Sequence, residues 1–190
     1  MQYTVFSCGV FYERFARGGL ASMGIGISTP LNVGVQMEQS ALGYEGSYLI
    51  NMGTNTAEIV EYCTAGQPIS VSMTSVNDVA RFIAAALDFD LRMWPLEFRM
   101  QGDRKTVTEI VQYAEFVKGR PFTTSVIAAP RLSAALQEAA YSQDYVKVSR
   151  IQELIATEQR RYDLSQVNLN PLVNFQPISF WVWLSTHWAP

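Results

Sequence analysis

One histidine, His187, and two cysteines, Cys8 and Cys63, are all the imidazole and thiol metal ligands that the 190 residues offer. His187 stands alone near the end, which leaves no cluster for a metal and a poor case for a Ser-His-Asp arrangement. The cysteines have no C-x-x-C spacing, so neither a zinc site nor a disulfide framework is expected, and both read as buried free thiols. Charge is scarce too. Only 16% of the residues are charged, the net charge is -3, and the 14 Lys and Arg are scattered, without the basic footprint that nucleic acid requires. No apolar run reaches the roughly 18 to 20 residues of a membrane span. The start MQYTVFSCG has neither the basic region nor the small-residue cleavage site of a signal peptide, so a cytoplasmic protein is expected.

Apolar residues, by contrast, are plentiful. At 48% hydrophobic the chain can build one domain with a real core, and the shortage of charge suggests a face covered in the working state. The opening stretch QYTVFSCGVFYERFARG reads as a strand, a small-residue loop and a helix. Tyr3 to Cys8 is a β-branched and aromatic run of the kind buried on both faces in the middle of a sheet. Gly9 punctuates it. Phe11, Tyr12 and Phe15 then recur at helical spacing and bring an aromatic face beside the strand's C-terminal end, where open α/β sheets place their ligands.

Residues 18–47 carry eight glycines and prolines among apolar residues such as Met23, Ile25, Leu31 and Val35. Such a segment reads equally as a lid over a pocket and as a poorly ordered insertion. Tyr48 to Met52 and Ala57 to Tyr62 read as two strands around a Gly53 to Asn55 turn, and Ile69 to Met73 alternates as a clear strand. Leu96 to Met100 and Phe122 to Ala128 complete the strands. Ser75-Val76-Asn77-Asp78 and Thr106-Val107-Thr108-Glu109 have capping-box spacing ahead of two amphipathic helices, the second stopped by Gly119. Asp78 is thus read as a helix cap and not as a catalytic acid. Pro130 opens a further helix to about Tyr141, and Tyr145 to Arg161 forms a peripheral one with Val148, Ile151 and Ile155 inward. The closing helix crowds Phe180, Trp181, Trp183, Leu184 and Trp188 together and must dock on its own domain or on a partner.

The familiar chemistry-bearing motifs are missing. Gly24-Ile25-Gly26 has Thr29 where a dinucleotide fingerprint wants its third glycine and no strand before it. A Tyr-x-x-x-Lys pair starting at Tyr12 fails because position 16 is Ala16. Tyr12 reads as pocket lining, with proton donor as the alternative, and the adjacent Glu13 and Arg14 are expected to face solvent.

Taken together, YTVFSCGVFYERFA at Tyr3 to Ala16, ISVSMTSVNDVARFIAAAL at Ile69 to Leu87, EFRMQGDRKTVTEIVQYAE at Glu97 to Glu115 and NFQPISFWVWLSTHW at Asn174 to Trp188 resemble the C-terminal portion of the NmrA-like, isoflavone-reductase-like group of atypical short-chain dehydrogenases. The resemblance implies an α/β fold: the end of a Rossmann-like sheet (1–17, central strand, loop and helix), the lid-like loop (18–47) and a substrate-binding region (48–190). It implies reductase activity on small, aromatic or polyketide-like metabolites with NADP(H) or NAD(H). The alternative is a non-catalytic, redox-sensing regulator that binds a protein partner or forms a homodimer through the sheet edge and the aromatic C-terminus. Carried over by position, Ser7, Cys8, Gly9 and Val10 would pack beside the nicotinamide, and Phe11, Tyr12, Phe15, Met73 and Thr74 would line the substrate pocket. The family's glycine-rich turn and reductase lysine precede the segment that matches Tyr3. At ~30 residues per strand-helix unit, four such units would amount to about 120 residues. This chain alone is therefore expected to lack the pyrophosphate site, a catalytic lysine and useful cofactor affinity.

Overall fold

A computed structural model describes residues 3–25 and 44–189, so most of the lid-like loop of 18–47 lies outside the described residues. The chain folds as mixed α/β, with three small sheets and five α-helices among the described residues. Strand β1 (Val5–Ser7) runs parallel to β6 (Glu97–Arg99), with Val5 opposite Glu97. After Gly9 the chain shifts to a second sheet, where β2 (Val10–Phe11) lies parallel to β5 (Ser70–Thr74). On its other side β5 pairs antiparallel with β7 (Asp103–Thr106). The third sheet joins the hairpin of β3 (Ile50–Asn51) and β4 (Thr56–Ile59) to parallel β8 (Thr123–Val126).

All five residues of β5 are buried: β2 and β7 flank it, Val71 and Met73 lie in the main core, and Ser72 bonds to Gln101, Tyr162 and Leu164. The expectation of a doubly covered opening strand does not hold for β1. Tyr3 is 72% and Val5 49% exposed, and β6 is its one strand neighbour among the described residues. β7 has no apolar pattern and was not legible as a strand; the free edge of β5 recruits it through backbone bonds, a case of pairing overriding propensity.

Capping sets the helices. Ser75 Oγ accepts the Asp78 N–H at 3.0 Å and starts α1 (Val76–Ala86). The full Thr106/Glu109 box starts α2 (Val107–Lys118), which ends at Gly119. Helices α3 (Leu132–Tyr141) and α4 (Tyr145–Glu158) pack as a pair, and α4 sends Ile151 and Leu154 into the main core. The final helix, α5 (Phe180–Trp188), docks on its own domain. Its Phe180, Trp183, Leu184 and Trp188 are buried, and the Trp188 indole N–H donates to Phe15 O at 2.8 Å. Each such buried side chain contributes roughly 1.5–3 kcal/mol of transfer free energy.

The core divides in two. The larger part gathers Val10, Tyr12, Phe15, the β3–β4 hairpin, β5, α2 and α5. A smaller part joins Phe82 and Ala86 of α1 to Phe98, Met100 and Leu169, with Phe6, Trp94 and Phe175 packed at its border. The two cysteines are only half-buried free thiols, one in each border zone, rather than fully buried ones.

Candidate functional site

Strands β2 and β5 are parallel neighbours and end side by side, at Phe11 and Thr74. The two strands lead into different structures. After β5 comes the capped N-terminus of α1; after β2 the chain makes one 3-10 turn, Tyr12–Phe15, instead of the α-helix that the aromatic spacing suggested. With three residues per turn, positions three apart eclipse. Tyr12 and Phe15 therefore point the same way, into the core, while Glu13 and Ala16 take the next face.

That next face borders a cavity of about 620 Å³. Glu13, Ala16 and Arg17 line it from the β2 side, and Ser75, Asn77, Asp78 and Arg81 from α1. Ser22 and Met23, Ile178, and Trp183 and His187 of α5 close the remaining sides. The walls are tied to one another by short bonds. Tyr12 OH donates to Ile178 O at 3.1 Å, and the Ile178 N–H donates to Asp78 Oδ2 at 2.7 Å, so both backbone groups of one residue before α5 are pinned. Gly102 sits against this clamp, where a Cβ would come within 2.6 Å of Tyr12 OH. Asp78 also takes Arg81 at 2.8 Å, and that guanidinium lies 3.9 Å over the Phe175 ring. Asp78 thus serves structure, as expected, but as a tie to the α5 segment more than as the second half of a capping box.

Glu13 and Arg14 do not face solvent. They are 6% and 8% exposed. Arg14 turns away from the cavity to Glu153 at 3.3 Å and stacks 4.7 Å over Tyr48, whose hydroxyl shares a hydrogen bond of 2.9 Å with Thr157. Glu153 also accepts from Tyr162 OH, and burial together with that carboxylate pushes the phenol up to about 12. Glu13 turns toward the cavity, its Oε2 accepting the Val76 N–H at 3.0 Å, which places the carboxyl at the N-terminus of α1. Burial raises its pKa above the ordinary carboxylate value and the Asp78 charge adds to the rise; the backbone N–H groups and nearby His187 oppose it.

None of the nine residues singled out from the sequence is among the lining residues of this cavity. Tyr12, Phe15, Met73 and Thr74 are 0–1% exposed, packed behind the wall instead of on it. Ser7 Oγ is engaged with Glu97 at 2.6 Å, Val10 is buried, and Phe11 is half-buried in β2. Burial pushes the half-buried Cys8 thiol up, and its carbonyl accepts from Thr74 Oγ1 at 2.8 Å. Gly9 has φ +69°, and a Cβ there would meet Ser72 O at 2.1 Å, so its freedom is spent on packing against β5. The sequence signal for the residues that do line the cavity was weak: a carboxylate next to two inward aromatics, two residues after a short strand.

A second cavity, of about 440 Å³, lies at the β1 corner between Tyr3, Phe6, Leu91, Trp94 and Leu96.

No protein-family profile matches the chain, and no curated protein matches it by sequence. Solved structures do resemble it in fold. A nucleoside-diphosphate-sugar epimerase from Staphylococcus aureus matches at 12% identity and TM-score 0.54, over 96% of this chain and 52% of that one. Leucoanthocyanidin reductase from Vitis vinifera, solved as a ternary complex, matches at 13% identity and TM-score 0.53, over 96% of this chain and 54% of that one. The fold is therefore part of the Rossmann-like α/β architecture of such reductases and epimerases, and the chain spans about half the length of each. Among the described residues no helix is long and apolar enough to cross a membrane.

Open α/β sheets of this kind commonly bind dinucleotides at the carboxyl ends of their strands, and the described residues do not fit one. A dinucleotide cradle needs glycine at a strand-to-helix turn, where free backbone N–H groups meet the pyrophosphate. Here the β5–α1 turn is Thr74-Ser75, and the Val76 N–H is already taken by Glu13. The β2 turn is Phe11-Tyr12, and the open side of Gly9 is filled by Ser72.

Proposed function

We propose that this chain is the substrate-binding portion of an NAD(P)H-dependent reductase of small organic molecules, aromatic or polyketide-like, and that the cavity beside Glu13 is its substrate site. The observation that carries this reading is position: the cavity lies outside the carboxyl ends of two adjacent parallel strands, β2 and β5, where open α/β folds bind their ligands. In this reading NADP(H) or NAD(H) would supply hydride, held by residues other than those described, and Tyr12, Phe15 and Met73 support the cavity wall from behind. No hydride-transfer step is assigned to the described residues.

A second reading, a non-catalytic binding or redox-sensing protein, is favoured by the exposed Tyr3, Val5, Leu91 and Leu96 around β1. A dimer paired through β1 in sedimentation would support it; a well-behaved monomer would count against it.

Calorimetric titration tests the main reading. A planar aromatic ketone such as 2-acetylnaphthalene is expected to bind this chain, whereas NADPH is expected to show no millimolar-or-better affinity. Tight NADPH binding without ketone binding would overturn the assignment.

A further inference from the structure

Two carboxylates line the cavity, and their surroundings set them apart. Asp78 is committed, to the Ile178 N–H and to Arg81. Glu13 accepts the Val76 N–H at 3.0 Å and forms no ion pair among the described residues, because Arg14 pairs with Glu153 and Arg81 with Asp78. A carboxylate has about four lone-pair sites, so capacity remains on a side chain that is only 6% exposed and borders a cavity of about 620 Å³. Apolar Ala16, Met23 and Ile178 lie around the same space.

We propose that Glu13 is the group by which the cavity recognises its ligand's oxygen, donating a hydrogen bond to a carbonyl when it carries its proton and accepting one from a hydroxyl when it does not. This rests on the reading of the cavity as a substrate site and adds the ligand chemistry: a neutral ketone and the corresponding alcohol, with an apolar body. The α1 N-terminus steadies the ionised form through Val76, and burial favours the protonated form. The charged and titratable groups that line the cavity with Glu13 are Asp78 and Arg81 on α1, His187 on α5 and Arg17 beyond its own turn. Binding a ketone to the acid form couples to one proton, and binding the alcohol to the carboxylate couples to its release.

The test is NMR titration of the chain with 2-acetylnaphthalene and with 1-(2-naphthyl)ethanol from pH 4 to 8. In the wild type, ketone affinity falls by up to about tenfold per pH unit above the Glu13 midpoint, the slope for one proton, while alcohol affinity does not fall. In Glu13→Gln, whose amide keeps an acceptor for the Val76 N–H and a donor for the ketone, the ketone profile becomes flat. A measurement free of substitution tracks the Glu13 carboxyl carbon in the wild type: the ketone raises its titration midpoint and the alcohol lowers it. Ketone binding with the same pH profile in wild type and Glu13→Gln would overturn the role of Glu13 and leave the substrate-site reading intact. Failure of both probes to bind in the cavity would overturn both.

Discussion

Val5 and Val10 sit in one opening segment, each in a short parallel strand, yet Val5 is 49% exposed and Val10 3%. The residue type is the same, so the difference lies in the surroundings. Val10 pairs with the buried end of β5, and its neighbours Tyr12 and Phe15 pack against Phe180 of α5, whereas Val5 has β6 beside it and sits between Thr4 and Phe6, which border the open groove of the β1 corner. The segment after Gly9 is built into the main core and shapes the cavity; the segment before it forms a rim. Burial in this fold is conferred by neighbours and not carried by the strand's own composition.

Substitutions can break or sharpen this contrast. The largest effect belongs to Phe15→Ala, which empties a fully buried site contacting Tyr48 and Phe180 and is expected to cost about 3–5 kcal/mol in urea unfolding. Gly9→Ala comes next, at roughly 3 kcal/mol, since the new Cβ meets Ser72 O and the backbone is held at φ +69°. Glu13→Gln acts through pH. The folded state raises the Glu13 midpoint, so it holds the proton more tightly than the unfolded chain and loses that advantage as pH climbs from the ordinary carboxylate value through the folded midpoint. Urea unfolding of wild type should therefore decline relative to Glu13→Gln across that window; parallel curves would remove the basis for it. Val5→Thr closes the series with a change within about 0.5 kcal/mol, as for other exposed positions. A loss near that of Phe15→Ala would show that β1 is as integral as β2.

Legibility in the sequence tracked the strength of local signals. The caps at Ser75 and Thr106, the stop at Gly119, the hairpin around Gly53 to Asn55 and the aromatic closing helix were readable, because each rests on contacts within a few residues. β7 was not, since Asp103-Arg104-Lys105-Thr106 pairs only because β5 offers an edge. At the candidate site the error was one of period. Phe11, Tyr12 and Phe15 fit an α-helical stripe, but the chain makes a single 3-10 turn, which turns Tyr12 and Phe15 inward and leaves Glu13 at the cavity. Phe11 ends β2, and Tyr12 and Phe15 after it point into the core instead of lining the cavity. Glu13 and Arg14 looked like solvent-facing charges because their partners, Val76 and Glu153, are distant in sequence.

On the proposed function, ligands enter beside β2 and β5, not at the β1 corner. Amide and side-chain shift mapping of the isotope-labelled chain with 2-acetylnaphthalene tests it most directly. Perturbations are expected to concentrate at Ala16, Asn77, Asp78 and His187; perturbations confined to Thr4, Phe6, Leu91 and Leu96, with the first set unmoved, would place the ligand at the β1 corner instead.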